Sequence, residues 1–218
     1  MSAAARGAAA LLALIALSLL AACGTTIESK PPPAPPPPVA HAPALSCTAE
    51  LDQLGVGYAK IPDFHTAEGC GIDDNVRIDH SAIPWSRPAQ VACPFELTEW
   101  RFETKVIQPA ALAIFHRRVA ELIHVGTYAC RGERGGNPNR LSQHAYGKAI
   151  DITGFALDDG TKISVRTDWA GDGPKARFLH RIAKGACGLF DVVLTPNHNA
   201  FHVDHIHLDI GPYKLCGV

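Results

Sequence analysis

Residues 148–155 read KAIDITGF, and residues 202–210 read HVDHIHLDI. In the first, Ile150 and Ile152 alternate with Asp151 and Thr153. In the second, Ile206, Leu208 and Ile210 alternate with His205, His207 and Asp209. Successive side chains on a strand point to opposite faces. Each stretch therefore reads as a strand with one apolar face for the core and one face of carboxylate and imidazole groups. If the two strands are neighbours, they form a core wall on one side and a chemical site on the other.

Upstream, residues 100–123 read WRFETKVIQPAALAIFHRRVAELI, with apolar residues near spacings of three, four and seven. That pattern predicts helix from about Leu97 to His124, with Pro109 starting or kinking one. His116, Arg117 and Arg118 read as its wet face. Strand-like segments follow at HVGTYACR, KAIDITGF and KISVRTDW, then a helix from Pro174 to about Lys184 with Gly185 as its stop. DVVLTP and HVDHIHLDI close the domain as strands, and residues 47–95 read as loops with one or two short strands. A helix followed by strands on short connections predicts an α+β domain, a small mostly antiparallel sheet with helices packed on one face.

The N-terminal part has a different character. Residues 1–23 carry one charge, Arg6, then an apolar run from Ala8 to Ala22 that is short for a bilayer span. This is the pattern of an export signal. Leu20-Ala21-Ala22-Cys23 resembles the lipobox of bacterial lipoproteins, which implies lipid on Cys23 and a membrane anchor. Gly24 in the next position implies, by the same resemblance, the outer membrane of a Gram-negative envelope, with the domain facing the periplasm. Residues 24–46 form a linker that includes KPPPAPPPPVAHAP. Proline locks the backbone and removes a donor, so this segment reads as a polyproline II spacer reaching up to ~70 Å.

Residues 47–218 remain as one domain of ordinary size. A net charge of −1 leaves no basic footprint for nucleic acid. Of the seven cysteines, six remain if Cys23 is lipidated: Cys47, Cys70, Cys93, Cys130, Cys187 and Cys216. An even set in an exported chain reads as disulfides, whose pairing the sequence leaves open. Oligomeric state is left open as well.

The chemistry gathers in SQHAYGKAID, residues 142–151, and in HVDHIHLDI. Gly147 lies between His144 and Asp151. If the two strands pair, His144, Asp151 and His207 can converge. Two imidazoles and a carboxylate suit zinc with a fourth position left for water.

SQHAYGKAID is similar to the SxHxxGxAxD pattern of the LAS-type zinc peptidases, which include D-Ala-D-Ala carboxypeptidases and peptidoglycan endopeptidases. HVDHIHLD resembles their second motif. A broader resemblance, to the bacterial extensin-like C-terminal domain family, runs from Cys47 to Cys216. It covers GCGI at 69–72, ACP at 92–94, Trp100, TYACR at 127–131, RLSQHAYGKAIDITGF at 140–155, DW at 168–169 and HVDHIHLDI. The resemblance implies His144, Asp151 and His207 as ligands and Arg131 as a contact for substrate carboxylate or carbonyl. It leaves two candidates for the base: Asp204, three before the last ligand, and His205, two before it. Strict alternation turns His205 toward the site, and a bulge would be needed to bring Asp204 in. His202 reads as a transition-state contact or a support behind the ligands, Asp209 as a partner for a ligand imidazole or simply an exposed residue, and His198 as uninvolved. The expected function is zinc-dependent cleavage of peptidoglycan stem peptides or cross-links. The alternative is a non-catalytic lipoprotein that binds cell wall or protein, with its metal site structural or lost.

Overall fold

The computed structural model describes residues 45–218. The signal, the lipobox cysteine and most of the proline-rich linker lie outside the described residues.

The alternation in AIDITGF is realised as β7 (Ala149–Leu157), and that in HIHLDI as β10 (Ile206–Asp209). They pair antiparallel, with Asp151 opposite His207 and Ile150 opposite Leu208. The main sheet runs β11-β9-β10-β7-β6, using β6 (Val119–Gly126), β9 (Val192–Leu194) and β11 (Leu215–Gly217), while β8 (Lys162–Ser164) pairs with β7 off this path. Its pairs are antiparallel except β9 with β11. The domain is α+β, as the sequence predicts.

Ile150, Ile152, Ile206 and Leu208 enter one core with Phe178, Leu179 and Ile182 of α5 (Pro174–Ala186). Phe178 meets Phe155 edge-on at 5.3 Å and Phe115 at 5.7 Å. The short helix α4 (Val165–Asp168) takes the second half of KISVRTDW, where a strand is expected. Gly185 does not stop α5, which runs on to Ala186. A Cβ there would meet Val106 Cγ1 at 2.4 Å, so this glycine serves close approach between helices.

The predicted helix over 97–124 is only partly present. Helix α2 (Cys93–Phe102) passes through a π-helical turn, Glu103–Ile107, into α3 (Gln108–Phe115). Pro109 cannot bond the carbonyl four residues back, and its ring crowds it; the wider turn before it relieves that conflict. Helix α3 ends at His116, whose φ of 55° is left-handed. From Val119 the chain is strand β6. Val119 and Leu122 both bury although three apart, because β6 shifts register between Val119 and Glu121. That bulge reproduces a helical spacing in an extended chain.

Residues 47–92 also hold more structure than loops. Helix α1 (Cys47–Leu54) is capped by the Ser46 hydroxyl. β1 (Gly57–Lys60), β4 (Asn75–His80) and β5 (Ala89–Ala92) form a three-stranded sheet, and β2 (Phe64–His65) pairs with β3 (Gly71–Ile72). The six cysteines pair as Cys47–Cys93, Cys70–Cys130 and Cys187–Cys216. Among the described residues no helix is long and apolar enough to cross a membrane.

Candidate metal centre and cleft

Ser142 starts a 3₁₀ turn, Gln143–Tyr146, and its hydroxyl accepts from His144 N–H. Gly147 closes the turn at φ 61°, donating back to the His144 carbonyl at 3.2 Å. A Cβ at Gly147 would lie 2.5 Å from Ile72 Cδ1, so glycine is demanded twice here, by torsion and by space. The chain then enters β7, which delivers Asp151 beside His144 and opposite His207.

The three side chains meet at nearly equal spacings. His144 Nε2 lies 3.1 Å from Asp151 Oδ1 and 3.1 Å from His207 Nδ1, and His207 Nδ1 lies 2.9 Å from Asp151 Oδ1. Their other polar atoms decide what these atoms are. His144 Nδ1–H donates to the Thr127 carbonyl at 2.9 Å. His207 Nε2–H donates to Asp209 Oδ2 at 2.9 Å, and Asp209 Oδ1 accepts from Gly211 N–H at 2.8 Å. With those protons placed outward, the three inward atoms are all lone-pair donors. Three such atoms at this spacing repel unless a cation sits among them. That is the donor set, and the outer support, of a small divalent ion such as zinc.

The acid–base balance carries the same signature. Without an ion, a proton takes its place: burial pushes the Asp151 carboxyl up, yet an imidazole that carries a second, inward N–H donates to it and holds the group well below the usual carboxylate range. Burial alone would lower His207, but hydrogen bonds to Asp151 and Asp209 raise it to about 9, so His207 takes the extra proton that an ion would displace. The pocket draws positive charge to this point. Among the described residues, these three are the set whose ligand atoms all fall within 4.8 Å.

The triangle opens into a cleft of about 290 Å³, lined also by Arg131, His198, Asn199, Phe201, His202 and His205. His205 does not stand on the strand, which begins at Ile206, yet its ring faces the site with Nε2 3.6 Å from Asp151 Oδ1. Asp204 lies behind it. Its Oδ1 accepts from His205 Nδ1–H at 2.9 Å, and its Oδ2 lies 3.7 Å from Arg166. The two candidate bases thus form one dyad, with the imidazole toward the cleft and the carboxylate outside it.

His202 lies on the 3₁₀ turn Ala200–His202, buried, with its ring 5.0 Å from that of His205. Burial, then the neighbouring imidazoles His205 and His207, depress it to about 4. Asn199 Oδ1 accepts from Phe201 N–H, which fixes that atom as oxygen, and it also accepts from His202 Nδ1–H at 2.8 Å. Neutral His202 therefore presents Nε2 as an acceptor, suited to a substrate N–H rather than to a developing oxyanion. Arg131 lines the same cleft, half-buried, its Nη1 donating to the Gly132 carbonyl. His198, read from sequence as uninvolved, lines the same cleft with its ring 5.9 Å from that of His202.

Two functional groups have no sequence signal of their own. The Thr127 carbonyl is backbone, and Asn199 is one asparagine in a loop. The TYACR segment that carries Thr127 runs beside the His144 turn, with Ser142 N–H donating to the Arg131 carbonyl and Ala129 N–H to the His144 carbonyl. Cys130 ties that segment to Cys70, next to β3.

The sequence model of the extensin-like protein C-terminus matches residues 45–217. The chain belongs to the extensin-like C-terminal family. The match takes in every residue of this extensin-like domain's cleft and metal triangle. No curated protein and no solved structure matches the chain.

Proposed function

We propose that this extensin-like domain is a zinc-dependent peptidase acting on peptidoglycan stem peptides or cross-links. Its N-terminal signal, Cys23 lipid and proline-rich spacer would hold it in the cell envelope, facing the periplasm. The observation that carries the reading is the triangle of His144, Asp151 and His207, with lone pairs inward and protons held outward. His144, Asp151 and His207 would hold the ion. A zinc ion there supplies Lewis acidity toward a carbonyl and lowers the pKa of water.

The chain's own groups supply the rest. His205 Nε2, at the cleft, takes a proton and returns it to a leaving amine. Asp204 holds the opposite nitrogen and so sets which nitrogen is free. Arg131 offers a guanidinium fork to a carboxylate or carbonyl oxygen. His202 accepts from a peptide N–H and helps fix the substrate's direction. A purely structural zinc is usually closed by four protein ligands; here the open side of the triangle is cleft, which supports catalysis over a binding role.

The test is digestion of purified muropeptides by the zinc-loaded protein, followed by chromatography. The expected result is release of a shortened stem peptide or a resolved cross-link, lost in His144→Ala. No cleavage across the common muropeptides, with parent and His144→Ala alike, would refute the reading.

A further inference from the structure

Away from the cleft, Glu96 and Glu99 on α2 and Glu103 on the π turn stand three and four residues apart, on one helical face. All three are fully buried. Glu103 is well served: Oε2 accepts from Ile83 N–H at 2.8 Å and Oε1 from Trp85 Nε1–H at 2.7 Å. Glu96 and Glu99 are not. Neither oxygen of either reaches a donor in good geometry, and the buried Ser81 hydroxyl, close to Glu96 and Glu103, makes no well-formed bond of its own. Such groups are rare in native interiors, and each calls for a physical cause.

The neighbours supply no positive charge. The 81–85 segment presents Ser81, the backbone and the Trp85 indole. From β6, His124 packs edge-on against Trp85, ring centres 5.4 Å apart, and burial holds it toward the neutral form. Lys105 on the π turn and Arg181 and Lys184 on α5 are exposed. Arg101 turns outward toward Glu50 of α1. On β4, Arg77 is taken by Asp79. Nor do the three carboxylates converge as a metal set, because their ligand atoms do not all approach within 4.8 Å. An ionised carboxylate buried without partners costs several kcal/mol, and three of them together would be worse. Protons remove both penalties. A protonated carboxyl loses its charge and gains an O–H that can donate to a neighbouring carboxyl or to Ser81.

We propose that Glu96, Glu99 and Glu103 form a buried proton-holding site, two carboxylic acids beside one carboxylate, and that folding of the domain is locked to its proton count. Burial raises Glu96 and Glu99 well above the usual range, with Glu103 adding like-charge repulsion to both. Burial also lifts Glu103, against its N–H donors, to about 7. The three titrate as a set.

The sign follows. Folded pKa values above the unfolded ones mean that the native state binds more protons, so stability falls as pH rises. The stabilisation is full below the unfolded glutamate value of about 4.3 and is lost as pH climbs through about 7 and beyond. The site lies under a joint that matters. Glu103 holds Ile83 and Trp85, while Ser86 N–H donates to the Leu122 carbonyl and Leu122 N–H to the Pro84 carbonyl, seating this segment on β6. Deprotonation should loosen that seam first.

The experiment is urea unfolding of the purified full chain, disulfides intact, from pH 6 to 8, beside Glu99→Gln. Glutamine keeps the shape without the proton. Relative to Glu99→Gln, the parent's unfolding constant should rise about tenfold per pH unit, the effect of one extra native proton. The Ile83, Ser86 and Leu122 amides should lose exchange protection first. Should Glu99→Gln fail to fold, infrared spectra of the parent decide: a protonated-carboxyl C=O band persisting at pH 7 is expected. Parallel pH profiles, absence of that band, or one tightly bound cation per chain that Glu99→Gln releases while zinc stays would each overturn the proposal. None of these readouts depends on peptidase activity.

Discussion

Asp209→Asn gives the sharpest test of the metal triangle. Asp209 is 5% exposed and serves two donors with two oxygens, His207 Nε2–H at 2.9 Å and Gly211 N–H at 2.8 Å. Asparagine keeps the shape but has one oxygen and one NH₂, so one of these donors must face another donor. If the NH₂ faces His207, the imidazole proton is driven to Nδ1, where it blocks the inward lone pair. If it faces Gly211, a buried N–H is left unserved and the carboxylate charge behind the ligand is gone. Losing a hydrogen bond to a charged group costs about 1.5–3 kcal/mol. Supports behind ligating histidines are typically worth about 10–100-fold in metal affinity, the same range at about 1.4 kcal/mol per tenfold. The assay is zinc competition against a chromophoric chelator at fixed pH, with circular dichroism to verify the fold. We expect zinc affinity to fall about 10–100-fold. Affinity within twofold of the parent, in a folded variant, would refute the assignment of His207's proton to the Asp209 side.

Two further outcomes follow from particular contacts. Gly147→Ala places a methyl 2.5 Å from Ile72 Cδ1 at a left-handed torsion, and should destabilise the domain by about 1–3 kcal/mol in urea or thermal unfolding. Asp204→Asn leaves the triangle untouched but unfixes the His205 tautomer; kcat on muropeptides should fall by about 10²-fold, the low end for a general base, with zinc content and KM nearly unchanged.

The candidate site was legible because two of its proposed ligands obey strand periodicity. Asp151 and His207 are hydrophilic positions in otherwise apolar alternations, and antiparallel pairing set them opposite each other. His144 was legible through the Gly147 turn that returns it to Asp151. Less was legible where the backbone departs from regular geometry. The bulges of β6 gave Val119 and Leu122 a helix-like spacing, so a strand read as the end of a helix. Upstream of Ile206 the chain is a 3₁₀ turn and not a strand, so alternation could not say whether Asp204 or His205 faces the site. The structure makes them one dyad. Glu96, Glu99 and Glu103 carry the spacing of a solvated helix face, and they are fully buried.

The order of residues sets the chemistry available and the local period: which residues can ligate, which alternate, where a glycine must turn. These depend on residue identity and on neighbours within a few positions. Which lone pairs point inward is settled by folding, because the groups that meet at the triangle come from distant parts of the chain. Thr127, whose carbonyl takes the His144 proton, is 17 residues from it, and Asp151, which meets His207 inside the triangle, is 56 residues away. Folding also settles which charges lose their water. Burial depends on everything packed around a group, and no short window of sequence contains it.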